Sequence, residues 1–168
     1  TLSGANATAV NGIATFTRDS FESLRSAMPR TAWNLIAMED RSGGHVYPKP
    51  VTHVVPQDDI EAYERVADDL NLSGVETVFV QHEFGIYGGE SGSHLLVLLR
   101  RLRMPVIVTL HTVLEKPNAI QKKVLDEIIS IASAVIVMSE MGADILDRVH
   151  GAGPKKVHVI PHGAPERP

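Results

Sequence analysis

The sequence predicts an α/β domain in which a parallel sheet is covered by helices on both faces, a Rossmann-like arrangement. Three observations carry this expectation. Six short runs are rich in Val, Ile and Leu; the segments between them repeat their apolar residues every three or four positions; and the two patterns alternate nearly throughout. Such alternation builds right-handed βαβ crossovers, which place every strand's carboxyl end on one edge of the sheet. Two of the runs release a histidine at that edge, in Val78-Phe-Val-Gln-His and Val106-Ile-Val-Thr-Leu-His.

Taken in order, Thr1 to Val10 is too small and polar to make a convincing first strand, although Leu2 to Ala5 has the character of a remnant of one. Ile13 to Met28 reads as a helix and Trp33 to Met38 as a strand. Arg41 to Pro50 is a Gly/Pro-rich connection to the next strand, Val51 to Val55. Ile60, Tyr63, Val66, Ala67 and Leu70 mark a helix opened by Asp58 as N-cap, and Val75 to Val80 a buried strand. Leu95, Leu96, Leu99 and Leu102 outline a third helix before the strand Val106 to Leu110. Asn118, after Pro117, opens a helix through Ile120, Val124, Ile128 and Ile131. The strand Ala134 to Met138 precedes a helix through Ile145, Leu146 and Val149, which Ser139 caps, and Val157 to Ile160 closes the pattern.

The chain of 168 residues, 43% hydrophobic, is long enough for one core. Its net charge of -4 and its lack of a long Lys/Arg run argue against nucleic acid as a partner. There is no cysteine, which removes disulfides, thiol nucleophiles and thiolate metal sites and fits a reducing compartment. The apolar runs are strand-length or amphipathic, so no transmembrane segment is expected. The first residue is Thr1 rather than Met, so the chain reads as processed or cut from something longer.

If the strands are placed correctly, Asn11-Gly12, Gln81-His82-Glu83, His111-Thr112, Ser139-Glu140 and Pro161-His162-Gly163 share one sheet edge. Gly12 before a helix lets backbone N–H groups and the helix dipole approach an anion, and a plain strand-to-helix turn is an equal reading. Gly88-Gly89 before the third helix has the composition of a backbone nest for phosphate or sugar hydroxyls, or of an ordinary loop; Glu90 beside it opposes an anion. His82 and Glu83 are adjacent, so on an extended strand their side chains diverge and do not form a ready dyad. The eight histidines lack a metal-ligand spacing, and no catalytic metal is expected. His53 and His158 fall within strands as structural residues, while His45 and His150 read as surface residues of a loop or helix end. His111 is committed to the edge by the apolar strand before it, with Thr112 as a further donor and acceptor. There it could orient a hydroxyl or stabilise developing charge, or serve structurally.

Taken together, Asn11-Gly-Ile-Ala-Thr-Phe-Thr, Val80-Gln-His-Glu-Phe-Gly-Ile-Tyr-Gly-Gly, Val108-Thr-Leu-His-Thr-Val-Leu and Val159-Ile-Pro-His-Gly resemble the amino-terminal domain of the GT-B glycosyltransferases of family 4, a retaining group. The resemblance implies that residues 1–168 form the first, acceptor-side Rossmann-like domain of a two-domain enzyme, with the carboxyl-terminal donor-binding domain absent. It implies transfer from a nucleotide-sugar donor, a substrate rather than a cofactor, to a hydroxyl acceptor. Gly12 then matches the glycine loop near the donor diphosphate, and His111 the histidine lining the reaction centre. His82, Glu83, Gly88, Gly89 and Thr112 match the acceptor side, and His162 the Pro-His-Gly turn leading to the second domain. The expected location is the cytoplasm, with peripheral attachment to a membrane as an alternative. Two other functions fit the same residues: a sugar- or nucleotide-binding module without turnover, and a sugar-nucleotide epimerase.

Overall fold

A computed structural model of the chain describes residues 2–4, 12–40 and 46–163. The expected N-terminal glycine-loop residue Asn11 and the loop residue His45 lie outside them. Seven parallel strands form one sheet in the order β3-β2-β1-β4-β5-β6-β7. They are β1 (Leu2–Gly4), β2 (Leu35–Glu39), β3 (Val51–Pro56), β4 (Val78–His82), β5 (Val106–Leu110), β6 (Ala134–Val137) and β7 (Val157–Val159). Five helices connect them: α1 (Gly12–Ala27), α2 (Ile60–Leu72), α3 (His94–Arg101), α4 (Ala119–Ile131) and α5 (Glu140–His150). The chain is therefore the Rossmann-like α/β domain expected from the alternation of patterns.

The principal correction concerns the first strand. Leu2–Gly4, read as at best a remnant of a strand, is an interior strand of the sheet, paired with β2 through Leu2↔Ile36 and with β4 through Leu2↔Val80. Its three residues carry little local hydrophobic signal. Ladders on both sides hold it, and neither can be read from its own composition.

The connection β1-α1-β2 runs toward the β3 edge, whereas every connection after β3 runs the other way. Right-handed crossovers therefore put α1 on one face of the sheet and α2 to α5 on the other. The second face carries most of the core. Ala62, Tyr63, Val66, Ala67 and Leu70 of α2, Leu95, Leu96, Leu98 and Leu99 of α3, and Val124, Leu125, Ile128 and Ile129 of α4 pack with Val80, Val108 and Val135 of the strands. Each fully buried aliphatic side chain stabilises the fold by roughly 1.5–3 kcal/mol. Helix ends are set by local chemistry. Asn118 and Gln121 form a reciprocal capping box, and Ser139 accepts the Gly142 N–H at 3.1 Å. The cap of α2 is Asp59 rather than the neighbouring Asp58, its carboxylate accepting the Ala62 N–H at 3.1 Å. Gly151, at φ 65°, ends α5 in the left-handed conformation that glycine adopts without steric cost.

His150 differs from its expected surface role. Its side chain is fully covered, and Nδ1 lies 2.7 Å from Asp126 of α4, tying α5 to its neighbour. Lys122 holds the same carboxylate at 2.7 Å, and these two partners lower the Asp126 pKa against the opposing effect of burial. His53 lies beside Thr52 and Asp69, while His158 is exposed.

His82 ends β4 inside the main core. Parallel register pairs it with Leu110, so both side chains enter the same face. Its ring stacks on Tyr87 at 6.2 Å and meets Phe84 edge-on at 5.1 Å, with neither nitrogen hydrogen-bonded. Burial, aided by the His111 ring, pushes its pKa down to about 4. Gly88 is buried against a second aromatic anchor. Its N–H donates to the Tyr63 hydroxyl at 3.2 Å, and its carbonyl accepts the His94 N–H at 3.0 Å. A Cβ there would lie 2.0 Å from the Gln57 carbonyl oxygen.

Two predictions follow from this packing. The folded state takes up the His82 proton only near pH 4, the unfolded chain near the ordinary 6.5. The unfolded state therefore binds more protons in that window, and stability falls as pH falls from 6.5 to 4, by about 3 kcal/mol from this group. Urea unfolding at pH 7 and pH 4.5 should show His82→Leu losing less stability than the parent; parallel losses would mean that His82 is not sealed. Gly88→Ala, forced against backbone, should cost about 2–3 kcal/mol and lower Tm by several degrees. An unchanged Tm would show that the loop yields freely.

Candidate functional site

The strand order reverses between β1 and β4, and the helices leaving these strands diverge to opposite faces. At such a switch point a crevice opens beyond the carboxyl ends of the strands. The polar residues at the ends of β4 and β5 gather there, on the face that carries α1.

Strand alternation decides which side chains reach it. On β4, Phe79 and Gln81 share the α1 face while Val80 and His82 face the core; on β5, Thr109 shares the phase of Gln81 through the pair Gln81↔Thr109. His111, two residues beyond Thr109, continues on that face. Its Nε2 lies 2.8 Å from Gln81 Oε1, an acceptor, so the ring donates from Nε2 and retains Nδ1 as its acceptor. The His111 backbone N–H donates to the His82 carbonyl at 3.0 Å, extending the ladder one residue past the strands. Gln81 is itself fixed from below, its carbonyl accepting the Tyr87 hydroxyl at 2.8 Å. The His111 ring is half-buried. Burial lowers its pKa first, the Glu83 carboxylate opposes that, and the His162 ring adds to the lowering. The net shift keeps the imidazole neutral at neutral pH.

Glu83 and Thr112 form the second part of the cluster. One carboxylate oxygen of Glu83 accepts the Phe84 N–H at 2.9 Å, and the other accepts the Thr112 hydroxyl in a short hydrogen bond. This bond clamps the β4 and β5 exits together and fixes the backbone on which His111 stands.

Helix α1 supplies the third. Phe16, one turn after Gly12, meets the His111 ring edge-on at 5.0 Å and the His162 ring at 4.9 Å. The aromatic ring thus couples α1, the end of β5 and the turn after β7. Gly12 opens the helix with nothing within 4 Å of where its Cβ would be, and the first turn of α1 carries no acidic residue. Among the described residues, no acidic side chain in that turn offsets the positive end of the helix dipole. His162 is exposed, with Nδ1 2.8 Å from the Gly163 carbonyl.

The structure therefore brings Gly12, Glu83, His111, Thr112 and His162 to one edge through direct contacts or through Phe16. His82 lies one layer below, on the opposite face. Gly88 is built into the packing around Tyr63, and Gly89, at φ 76°, lies against Ser93 and His94 rather than beside His111. Sequence reasoning placed Gln81 at the edge without giving it a role, and it named Phe16 only inside a longer motif. A glutamine inside an apolar strand is a signal for the first, because buried amides need partners; nothing in the sequence separates Phe16 from Phe21. Among the described residues, no three His, Cys, Asp or Glu side chains are grouped to hold a metal ion, and no helix is long and apolar enough to cross a membrane.

The comparisons with known proteins agree with this fold. The profile described as Glycosyltransferase Family 4 matches residues 46–166. A crystal structure of a glycosyltransferase from Rickettsia africae ESF-5 shares the fold at a TM-score of 0.62 and 15% identity. The match covers 95% of this chain and 42% of that one, so the chain spans less than half the length of its solved relative. No curated protein sequence matches. A Rossmann-like sheet with its polar cluster at the switch point, and a family match over most of its length, establish that the chain belongs to glycosyltransferase family 4.

Proposed function

We propose that the chain is the acceptor-side domain of a retaining, metal-independent glycosyltransferase that uses a nucleotide-sugar donor and faces a second domain across the switch-point crevice. The observation that carries this reading is the neutral His111 ring, oriented by Gln81 and packed on Phe16 of α1.

Glycosyl transfer breaks the bond from the anomeric carbon to the diphosphate oxygen and forms one to the acceptor oxygen on the same face of the sugar, the acceptor's hydroxyl proton passing to the departing diphosphate. Negative charge grows on the departing diphosphate while positive charge grows on the sugar ring. The α1 terminus at Gly12 offers backbone N–H groups and dipole to the first of these charges. Nδ1 of His111 can accept a sugar or acceptor hydroxyl hydrogen bond, which holds that group still as the bonds exchange. The Glu83–Thr112 clamp shapes the acceptor side, and the turn at His162 leads toward the donor domain. With one wall of the crevice supplied by a second domain, this chain alone should bind a sugar nucleotide weakly and turn it over not at all. The proposed location is the cytoplasm.

The test is a panel of sugar nucleotides assayed against the full-length protein, with calorimetry of the 168-residue chain alongside. His111→Ala should lower kcat by about 10²–10³-fold with the fold intact. Because the neutral ring is the working form and its pKa is lowered, the parent rate should hold as pH falls through 6.5 and drop only below it. Unchanged kcat in the variant would reduce His111 to a structural residue. Tight binding without transfer by the full-length protein would favour a binding module, and sugar isomerisation an epimerase.

A further inference from the structure

A doubly wound sheet ordinarily carries a helix in its β2–β3 connection, on the α1 face. Here the described part of that connection, residues 46–50, is a loop carrying Pro48 and Pro50. These residues do not fill the space beside α1. A cavity of about 900 Å³ remains between α1, β2 and the start of β3. Of the sixteen residues of α1, only Thr17 and Phe21 are buried, so the helix meets the sheet through few side chains.

The cavity divides into an apolar floor and a cationic rim. Phe21, Leu35, Ala37 and Val51 supply the floor, with Phe21 5% and Ala37 8% exposed. The rim carries Arg18 and Arg25 of α1 and Lys49 of the loop, against one acidic residue, Glu22. Arg18, Phe21 and Arg25 lie at i, i+3 and i+7, one stripe of the helix. The two guanidinium stems therefore flank the Phe21 ring from positions roughly 10 Å apart along the axis. Thr17 and Phe21 are the buried residues of α1, and the exposed Arg18 and Arg25 stand at the margin of that stripe, where they put positive charge at the border of the apolar floor. Arg18 is drawn toward Asp19 at 3.6 Å, an exposed contact that a ligand anion can replace.

We propose that this cavity is a ligand site for an amphiphilic anion, with an aliphatic body on the Phe21–Ala37–Val51 floor and a phosphate or carboxylate head between Arg18, Arg25 and Lys49. Its volume lies in the range of small-molecule sites, and arginine recognises such heads by paired charge-assisted hydrogen bonds. The site lies across α1 from His111, and its existence does not depend on the reaction assigned to the crevice. Occupancy would wedge α1 against β2 and, through Phe16, reach the His111 and His162 rings.

The test uses soluble decyl phosphate, with inorganic phosphate and decyl maltoside as single-feature controls and phosphatidic acid vesicles as a bilayer source. Saturable binding of decyl phosphate or of the vesicles should shift the methyl resonances of Ala14, Leu35, Ala37 and Val51. An Arg18→Ala/Arg25→Ala double variant with unchanged Tm should weaken binding at least ~10-fold. Since both arginines are exposed, that variant is expected to fold; Ala37→Leu, which fills the floor, should weaken the same ligand independently. Binding by decyl phosphate and not by vesicles identifies a free amphiphile, and binding by both a bilayer lipid. Equal binding of inorganic phosphate or of decyl maltoside, shifts confined to other residues, insensitivity to both variants, or no binding would overturn the proposal.

Discussion

Everything functional in this domain depends on one constraint: in a parallel sheet whose strand order reverses, the chain must leave two neighbouring strands toward opposite faces. Here those strands are β1 and β4. The reversal leaves the space beyond their carboxyl ends uncovered by either helix, and backbone polarity there has to be satisfied by side chains or ligands. The Gln81–His111 and Glu83–Thr112 bonds answer that requirement in part. They also fix His111, which continues a strand and presents its ring to the α1 face. Architecture and chemistry are joined at this point, because a one-residue change of register on β5 would send His111 into the core and Leu110 to the site.

The two faces of the sheet divide the work. The face under α2, α3 and α4 is packed with aliphatic side chains and seals even a histidine, His82, between Tyr87 and Phe84. An imidazole with two unpartnered nitrogens weakens a core relative to an apolar residue of its size. What His82 contributes to the site is its backbone carbonyl, which receives the His111 N–H. Among the described residues, the α1 face is sparsely packed by comparison, with two buried helix residues and polar or cationic groups at its borders. A rigid face that holds a thinly covered one is a suitable scaffold for binding, since ligand contacts there displace few packed side chains.

Much of the fold was legible in the sequence. The strands after the first were marked by short runs rich in Val, Ile and Leu, and Asn118 and Ser139 announced two helix starts by chemistry that acts within three residues. What stayed hidden is non-local. Leu2–Gly4 is a strand because of its neighbours, and Gly88 is required by the carbonyl of Gln57, thirty-one positions earlier. His150 is buried by Asp126 of another helix rather than exposed as its helix-end position suggested. At the site, the phase of strand alternation separates His82 from His111, although both were legible as edge residues. The sequence also could not show that Gln81, not Glu83, is the hydrogen-bonding partner of the His111 ring.

The central claim is that alternation and register give these two histidines opposite environments: one sealed and inert, the other held as a neutral ring with Nδ1 available. Nitrogen-15 NMR of the imidazole rings across a pH titration tests it most directly, because it reads tautomer and protonation at each ring. The account predicts His111 as the Nε2–H tautomer, protonating below its ordinary pH range, with His82 silent until about pH 4. A His82 ring that titrates near 6.5 beside a His111 ring in the Nδ1–H form would contradict it.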